Sequence, residues 1–190
     1  MNPLLLDFPS EFKTKRLLLR APMVGDGQAV NSAIRASINE LKPWMPFAQE
    51  IPTIEDTEIN IREATAKFIL REDLRFHIYD RFDGHFIGST GLHRINWNVR
   101  RFEIGYWIDT KYSGRGYMTE TVEGLFQFAV AELDARRIKI RCDTKNDKSR
   151  KIPEKLGFTL EGTFLQDDLS ADGKSLRDTY VFAKVIDNPL

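Results

Sequence analysis

The sequence predicts a mixed α/β (α+β) domain in which helices interrupt a mostly antiparallel sheet. Three observations lead there. Apolar residues recur at helical spacing in two early runs and one central run, and the stretches between them alternate apolar with polar positions. The chain has 190 residues, enough for one sizeable core and short for two. It shows no repeat, low-complexity tract or linker, so a single domain over residues 1–190 is expected.

Arg16 to Arg20 reads as a short strand, closed by Pro22. Val30, Ala33, Ile34, Ile38 and Leu41 follow at helical spacing, and Ile61, Ala64, Thr65, Phe68 and Ile69 do so again. Thr53 suits the N-cap of that second helix, with Asp56 in its first turn. Arg75 to Asp80 and His85 to His93 read as a hairpin turning at Asp83-Gly84. Arg101 to Ile108 is a further strand, with Phe102, Ile104, Tyr106 and Ile108 on one face. A helix then runs from Met118 to Leu133, and Ile138, Ile140 and Cys142 mark one side of the next strand. A short helix near Asp147 to Leu156 and strands near Phe158 to Leu165 and Arg177 to Val185 complete the chain.

Charge and composition exclude several classes. Acidic and basic side chains balance at 28 each, and no extended Lys/Arg run offers an electrostatic footprint for nucleic acid. No apolar stretch is long enough to span a bilayer, and Met1 to Ser10 lacks the basic start of a signal peptide. The lone Cys142 cannot close an internal disulfide, which suits a reducing cytoplasm. His77, His85 and His93 lack metal-ligand spacing, so no metal is expected.

The densest signal is Tyr112-Ser113-Gly114-Arg115-Gly116-Tyr117, leading into the central helix. Two glycines let the backbone bend so that successive N–H groups point one way, and the helix adds its own free N–H groups and dipole. That is a phosphate cradle made of backbone. It lacks the Lys-Ser/Thr pair of a P-loop, and Thr119 stands where a dinucleotide fingerprint needs its third glycine. By itself the pattern is equally a tight strand-to-helix turn.

A second signal lies about thirty residues on: Asp143-Thr144-Lys145-Asn146-Asp147-Lys148-Ser149-Arg150, then Glu154-Lys155-Leu156-Gly157-Phe158. With Thr14-Lys15-Arg16-Leu17-Leu18-Leu19-Arg20, Phe86-Ile87-Gly88-Ser89-Thr90-Gly91-Leu92 and Glu103-Ile104-Gly105-Tyr106-Trp107, the arrangement resembles the GNAT acetyltransferase superfamily. Within it the likeness is to ribosomal-protein N-acetyltransferases of the RimJ/RimL type, and it runs from about Thr14 to about Val185. The resemblance implies the GNAT fold, a mostly antiparallel mixed sheet flanked by about four helices. It also implies acetyl-CoA as co-substrate, its pyrophosphate on the Gly114–Gly116 loop, with Tyr112, Ser113, Arg115 and Tyr117 around it.

Acetyl transfer to an amine needs a neutral amine, a polarised thioester carbonyl and a proton for the thiolate. Neutralising an N-terminal amine at pH 7 costs about 1 kcal/mol, and a lysine about 4–5 kcal/mol. Glu103, opposite Phe102 and Ile104 on its strand, stands where GNAT enzymes often carry a basic glutamate; its other reading is a strand residue paired with Arg94 or Arg101. The family's backbone donor to the thioester oxygen would fall around Trp107 or Ile108. Many members carry a thiolate-protonating tyrosine where this chain has Pro153, which should break or kink the short helix. RimL-like members use a serine one turn earlier, and Ser149 stands there; it is otherwise a first-turn polar residue. Asn146 suits both a helix cap and a hydrogen bond to the pantetheine arm.

Trp44 and Phe47, in the run Pro43-Trp44-Met45-Pro46-Phe47 whose two prolines limit its mobility, occupy the region that forms the acceptor wall in GNAT folds, and Tyr106 could line the same cleft; core burial is the alternative for each. Cys142 reads as a buried structural thiol. The expected activity is acetylation of a primary amine, foremost a protein N-terminus such as a ribosomal protein's, by direct attack in a ternary complex. Acetylation of a small amine (a polyamine or aminoglycoside-like drug) and a non-catalytic acyl-CoA sensor are the alternatives. Monomer and homodimer both stay open.

Overall fold

Leu17 and Leu19 are fully buried while Leu18 and Arg20 are not, the alternation that sets a strand with one face on a core. The computed structural model describes residues 2–186; residue 1 and residues 187–190 lie outside the described part. Its strands are β1 (Glu11–Lys13), β2 (Leu17–Arg20), β3 (Leu74–Asp80), β4 (Phe86–Asn96), β5 (Arg101–Ile108), β6 (Arg137–Asp143), β7 (Thr159–Leu169) and β8 (Leu176–Val185). They form one sheet in the order β1-β2-β3-β4-β5-β6-β8-β7. Every neighbouring pair is antiparallel except β5 with β6.

The helices are α1 (Gly27–Ala36), α2 (Ile38–Leu41), α3 (Ile54–Ile69), α4 (Tyr117–Leu133) and α5 (Asp147–Lys155). On one face of the sheet Met118, Val122, Leu125 and Ala129 of α4 pack against Leu17, Phe76, Leu92, Ile104 and Ile140. On the other, Val30, Ala33 and Ile34 of α1 and Ile61 of α3 pack against Phe86. No helix among the described residues is long and apolar enough to cross a membrane.

The capping expectation for α3 holds in full. Thr53 Oγ1 accepts from the Asp56 N–H while Asp56 accepts from the Thr53 N–H, a capping box. Ile69, expected on the apolar face of that helix, is 65% exposed. The first helical run is two helices, because the buried Ser37 leaves helical geometry and its hydroxyl accepts from the Thr110 N–H at 2.8 Å. That long-range bond wins over local periodicity. The hairpin turns where expected, with Gly84 at φ +73°. The strand β1 had no sequence signal, being only three residues long.

Asp26, at the N-cap of α1, ties that helix to the sheet. It accepts from both Arg20 Nη atoms, at 2.9 and 2.6 Å, from the Met23 N–H, and pairs with His77 Nδ1 at 2.9 Å. Burial alone would raise its carboxyl; the bonds from His77, Arg20 and Met23 outweigh that and hold it well below the usual carboxylate range. His77 is 1% exposed, and burial lowers its pKa despite Asp26. Below about pH 6.5 the unfolded chain therefore binds a proton that the folded His77 resists, and Asp26 adds a second such loss below about pH 4. The melting temperature, followed by circular dichroism, is expected to be flat between about pH 7 and 8 and to fall from about pH 6.5 downward. His77→Gln removes the first limb and keeps the second; a wild-type melting temperature unchanged between about pH 7 and 5 would contradict this account.

Candidate active site

The parallel ladder of β5 and β6 holds only from Arg101 with Arg137 to Ile104 with Ile140. Beyond it β5 stays with β4 as far as Ile108, and β6 stays with β8 as far as Asp143, so the two strands part. The Asp109 N–H bonds to the Ile87 carbonyl and Thr90 Oγ1 donates to the Gly105 carbonyl, so these peptide groups face β4. By alternation the N–H groups of Tyr106 and Ile108 face the opening.

The cradle lies just past the end of β5. Gly114 and Gly116 have φ of +76° and +78°, in the left-handed region that a side chain resists. From Gly114 to Thr119 no backbone N–H donates to a protein acceptor among the described residues, and α4 has no side-chain cap. Six consecutive amides at a helix N-terminus suit a pyrophosphate. Arg16 fixes the loop from behind: it donates to Glu120 at 2.6 Å and to the Arg115 carbonyl at 3.1 Å, and its guanidinium stacks 4.3 Å from the centre of the Tyr117 ring. Tyr112 packs edge-on to Tyr117, while Ser113 and Arg115 are exposed on the loop.

Across the opening stands α5. The Asn146 side chain accepts from the Ser149 N–H at 3.0 Å and so caps the helix. Pro153 was expected to break or kink this helix, but helix runs through it to Lys155. The missing N–H leaves the Ser149 carbonyl without its helical partner, and the proline ring crowds that carbonyl. The Tyr106 hydroxyl supplies the donor, at 3.0 Å, and accepts in turn from Ser149 Oγ at 3.2 Å. Burial pushes the Tyr106 phenol well above the usual tyrosine value, the Ser149 bond opposing, so it stays protonated. Cys142, buried beside them, has its thiol pushed up to about 11 by burial, against the Ser149 contact, which keeps it a thiol.

On the opposite face of the sheet lies a cavity of about 480 Å³, lined by Val30, Ile34, Met45, Phe47, Ile61 and Trp107, with Asp56, Asn60, Arg75, His77, Thr90 and His93 among its polar groups. Phe47 is 44% exposed and leans on Trp107, while Trp44 is not among the lining residues, its neighbour Met45 being there instead. Tyr106 contributes to both faces of the opening.

Glu103 lies outside this cavity, in a small polar recess with Arg94, Arg141 and Cys142. Its carboxylate sits 3.2 Å from Arg94 Nη1 and 2.9 Å from Lys139 Nζ, the latter an ion pair without hydrogen-bond alignment. Its cross-strand partner is His93. The β4 ladder is irregular just after His93, at Arg94 with φ +46°, a bulge of the kind that re-aims a side chain. The imidazole lies over the facing glycines Gly91 and Gly105: a Cβ on Gly91 would stand 2.7 Å from His93 Cε1, and one on Gly105 3.0 Å from Cδ2. Asp73 Oδ2 is 2.6 Å from His93 Nδ1, leaving Nε2 as the ring's other polar atom on the cavity side. Sequence reading missed this pair. The visible trace was the alternation Gly91, His93 with Gly105 on the next strand.

The acetyltransferase (GNAT) domain family matches residues 16–159, and the chain belongs to that family. It is 29% identical over 102 residues to the ribosomal-protein-serine acetyltransferase of Escherichia coli (strain K12), a match covering 54% of this chain and 56% of that one. The chain spans about half the length of the curated relatives it matches first. Among solved structures it resembles the microcin C7 self-immunity acetyltransferase MccE in complex with acetyl-CoA and AMP: TM-score 0.87, 22% identity, 94% of this chain and 98% of that one. It also resembles RimL, the ribosomal L7/L12 α-N-protein acetyltransferase, in complex with coenzyme A, with a TM-score of 0.84, 22% identity, and 92% and 96% covered. The eight-stranded sheet with its one parallel pair is the GNAT fold these neighbours share.

Tyr106 and Pro153 should be energetically coupled through one carbonyl. Tyr106→Phe strands a part-buried acceptor and is expected to cost about 1 kcal/mol in denaturant unfolding. Pro153→Ala restores the helical N–H, so added to Tyr106→Phe it recovers most of that loss. If Pro153→Ala changes stability equally in both backgrounds, the two residues are independent.

Proposed function

We propose that this chain transfers an acetyl group from acetyl-CoA to a primary amine by direct attack in a ternary complex. The carrying observation is that a phosphate cradle and the Tyr106–Ser149 pair on one side of the sheet, and a cavity of about 480 Å³ on the other, both border the end of β5 where it parts from β6. Bound acetyl-CoA supplies an acetyl thioester, whose carbon takes the amine's lone pair while the C–S bond breaks and leaves its electron pair on sulfur.

The protein's own groups divide the remaining work. The amides from Gly114 to Thr119 bind the pyrophosphate, and the caps at Asn146 and Asp109 hold the flanking turns. The Tyr106 or Ile108 N–H, facing the opening, polarises the carbonyl. One proton of the ammonium goes to His93 Nε2, with Asp73 steadying the ring. Ser149 Oγ–H, which rests on the Tyr106 oxygen, turns to donate its proton to the departing sulfur, and the second proton lost by nitrogen restores the Ser149 hydroxyl. Glu103 acts as the anion that gathers Arg94 and Lys139 on the strand pair that carries His93.

A protein N-terminal α-amine is the acceptor this reading favours, since its neutralisation needs only about 1 kcal/mol and one imidazole suffices. Phe47 and Trp107 give a peptide an apolar wall. Likeness to a ribosomal-protein-serine acetyltransferase supports the same acceptor class.

The test is free-thiol release from acetyl-CoA with peptide N-termini, lysine side chains, polyamines and aminoglycosides. Turnover on peptide N-termini is expected, and turnover on small amines alone would overturn the acceptor assignment. Ser149→Ala and His93→Gln should each lower kcat by roughly 10²–10⁴, with acetyl-CoA affinity kept. His93→Gln should lower kcat more than Glu103→Gln does.

A further inference from the structure

Arg75 projects from β3 onto the cavity face, in register with Gly91 of β4, which is in register with Gly105 of β5. The row Arg75–Gly91–Gly105 is thus the cavity floor, with a cation at one end and the β5–β6 opening beside the other. The two glycines leave the floor low, and His93 lies across it. Arg75 is half-buried, and its Nη1 donates to Asn60 Oδ1 at 2.6 Å, a neutral partner. Among the described residues no carboxylate lies within 4 Å of its guanidinium.

The nearby acids are already engaged. Asp73 holds His93, and Asp56 accepts from the Thr53 N–H and hydroxyl in the capping box. Asp73 and Glu63 act on Arg75 only at longer range, and burial pulls its pKa below the usual arginine value. The guanidinium still stays charged at any working pH. A half-buried cation held by one amide and open to a cavity lacks the anion that would offset its desolvation.

We propose that Arg75 is a specificity determinant that binds an anionic group of the acceptor, so the preferred substrate is an α-amine peptide with an acidic side chain at its third or fourth residue. This rests on the acetyl-transfer reading above. The spacing sets the position: two strand intervals separate Arg75 from Gly105, about 10 Å. An extended peptide advances about 3.3–3.6 Å per residue, so an amine at the opening places residue three or four over the guanidinium. Carboxylate and guanidinium can pair through two parallel hydrogen bonds. Polyamines, cationic along their whole length, would meet Arg75 as a like charge.

The experiment uses the full chain, acetyl-CoA and N-terminal hexapeptides with Glu at position three or four, against Gln and Lys in the same places. Thiol release and calorimetric binding of each peptide are both measured, for wild type, Arg75→Gln and Arg75→Glu. Wild type should favour the Glu peptides over Gln by roughly 10- to 100-fold in kcat/KM, with Lys peptides poorest. Arg75→Gln should erase that preference, so that Glu and Gln peptides are used at comparable rates by the variant, and Arg75→Glu should favour Lys. Equal use of Glu and Gln peptides by wild type would overturn the proposal and leave acetyl transfer intact. If no peptide is acetylated but Glu peptides bind in an Arg75-dependent way, the anion subsite stands and the transferase reading falls. Absence of any Arg75-dependent binding or rate overturns it, and acetyl-CoA affinity and melting temperature verify that each variant is folded.

Discussion

The rest of the structure depends on one constraint: β5 cannot remain paired with both its neighbours. Four parallel pairs hold it to β6, after which β4 keeps β5 and β8 keeps β6. A gap in a sheet ordinarily leaves backbone groups without partners. Here the unpartnered side of Gly105–Ile108 is the place where a carbonyl can find a backbone donor. The same parting lets groups on opposite faces of one sheet reach one reacting bond, which a continuous sheet would keep apart.

Each side of the gap is held by contacts distant in sequence. Arg16 and Thr14, near the start of β2, both bind Glu120 in the first turn of α4, so the first strands brace the phosphate cradle. Ser37 braces the approach to it through the Thr110 N–H, at the cost of interrupting the first helix. On the cavity side, Asp26 joins α1 to β3 through Arg20 and His77. These polar ties cross between elements and fix angles that apolar packing alone would leave softer.

Much of this was legible in the sequence where the determinants were local. Alternation in Arg101 to Ile108 and in Arg137 to Asp143 gave both strands and their faces, and Thr53 with Asp56 gave a helix start. The Gly114 and Gly116 bend was legible because few other residues tolerate that backbone. What escaped were contacts that exist only after folding. The ring of His93 reaches a glycine of its own strand and one of the next, and Asp73 orients it from twenty residues away. The helix through Pro153 escaped for the same reason, its rescuing hydroxyl being on β5. Glu103 sat on the face expected, yet its neighbours Arg94 and Lys139 decide what the carboxylate can do.

The bond between the Tyr106 hydroxyl and the Ser149 carbonyl also has an order in time. A proline arriving at position 153 before a hydroxyl stood at position 106 would strand a part-buried carbonyl, whereas a tyrosine at 106 can precede the proline harmlessly. In any lineage that acquired both, the stable route takes the tyrosine first. Once the proline is in place the tyrosine is difficult to lose, because reverting it alone exposes the defect it had covered. The pair is a ratchet, and it would hold Tyr106 in place even against a selective pressure that asked nothing of its chemistry.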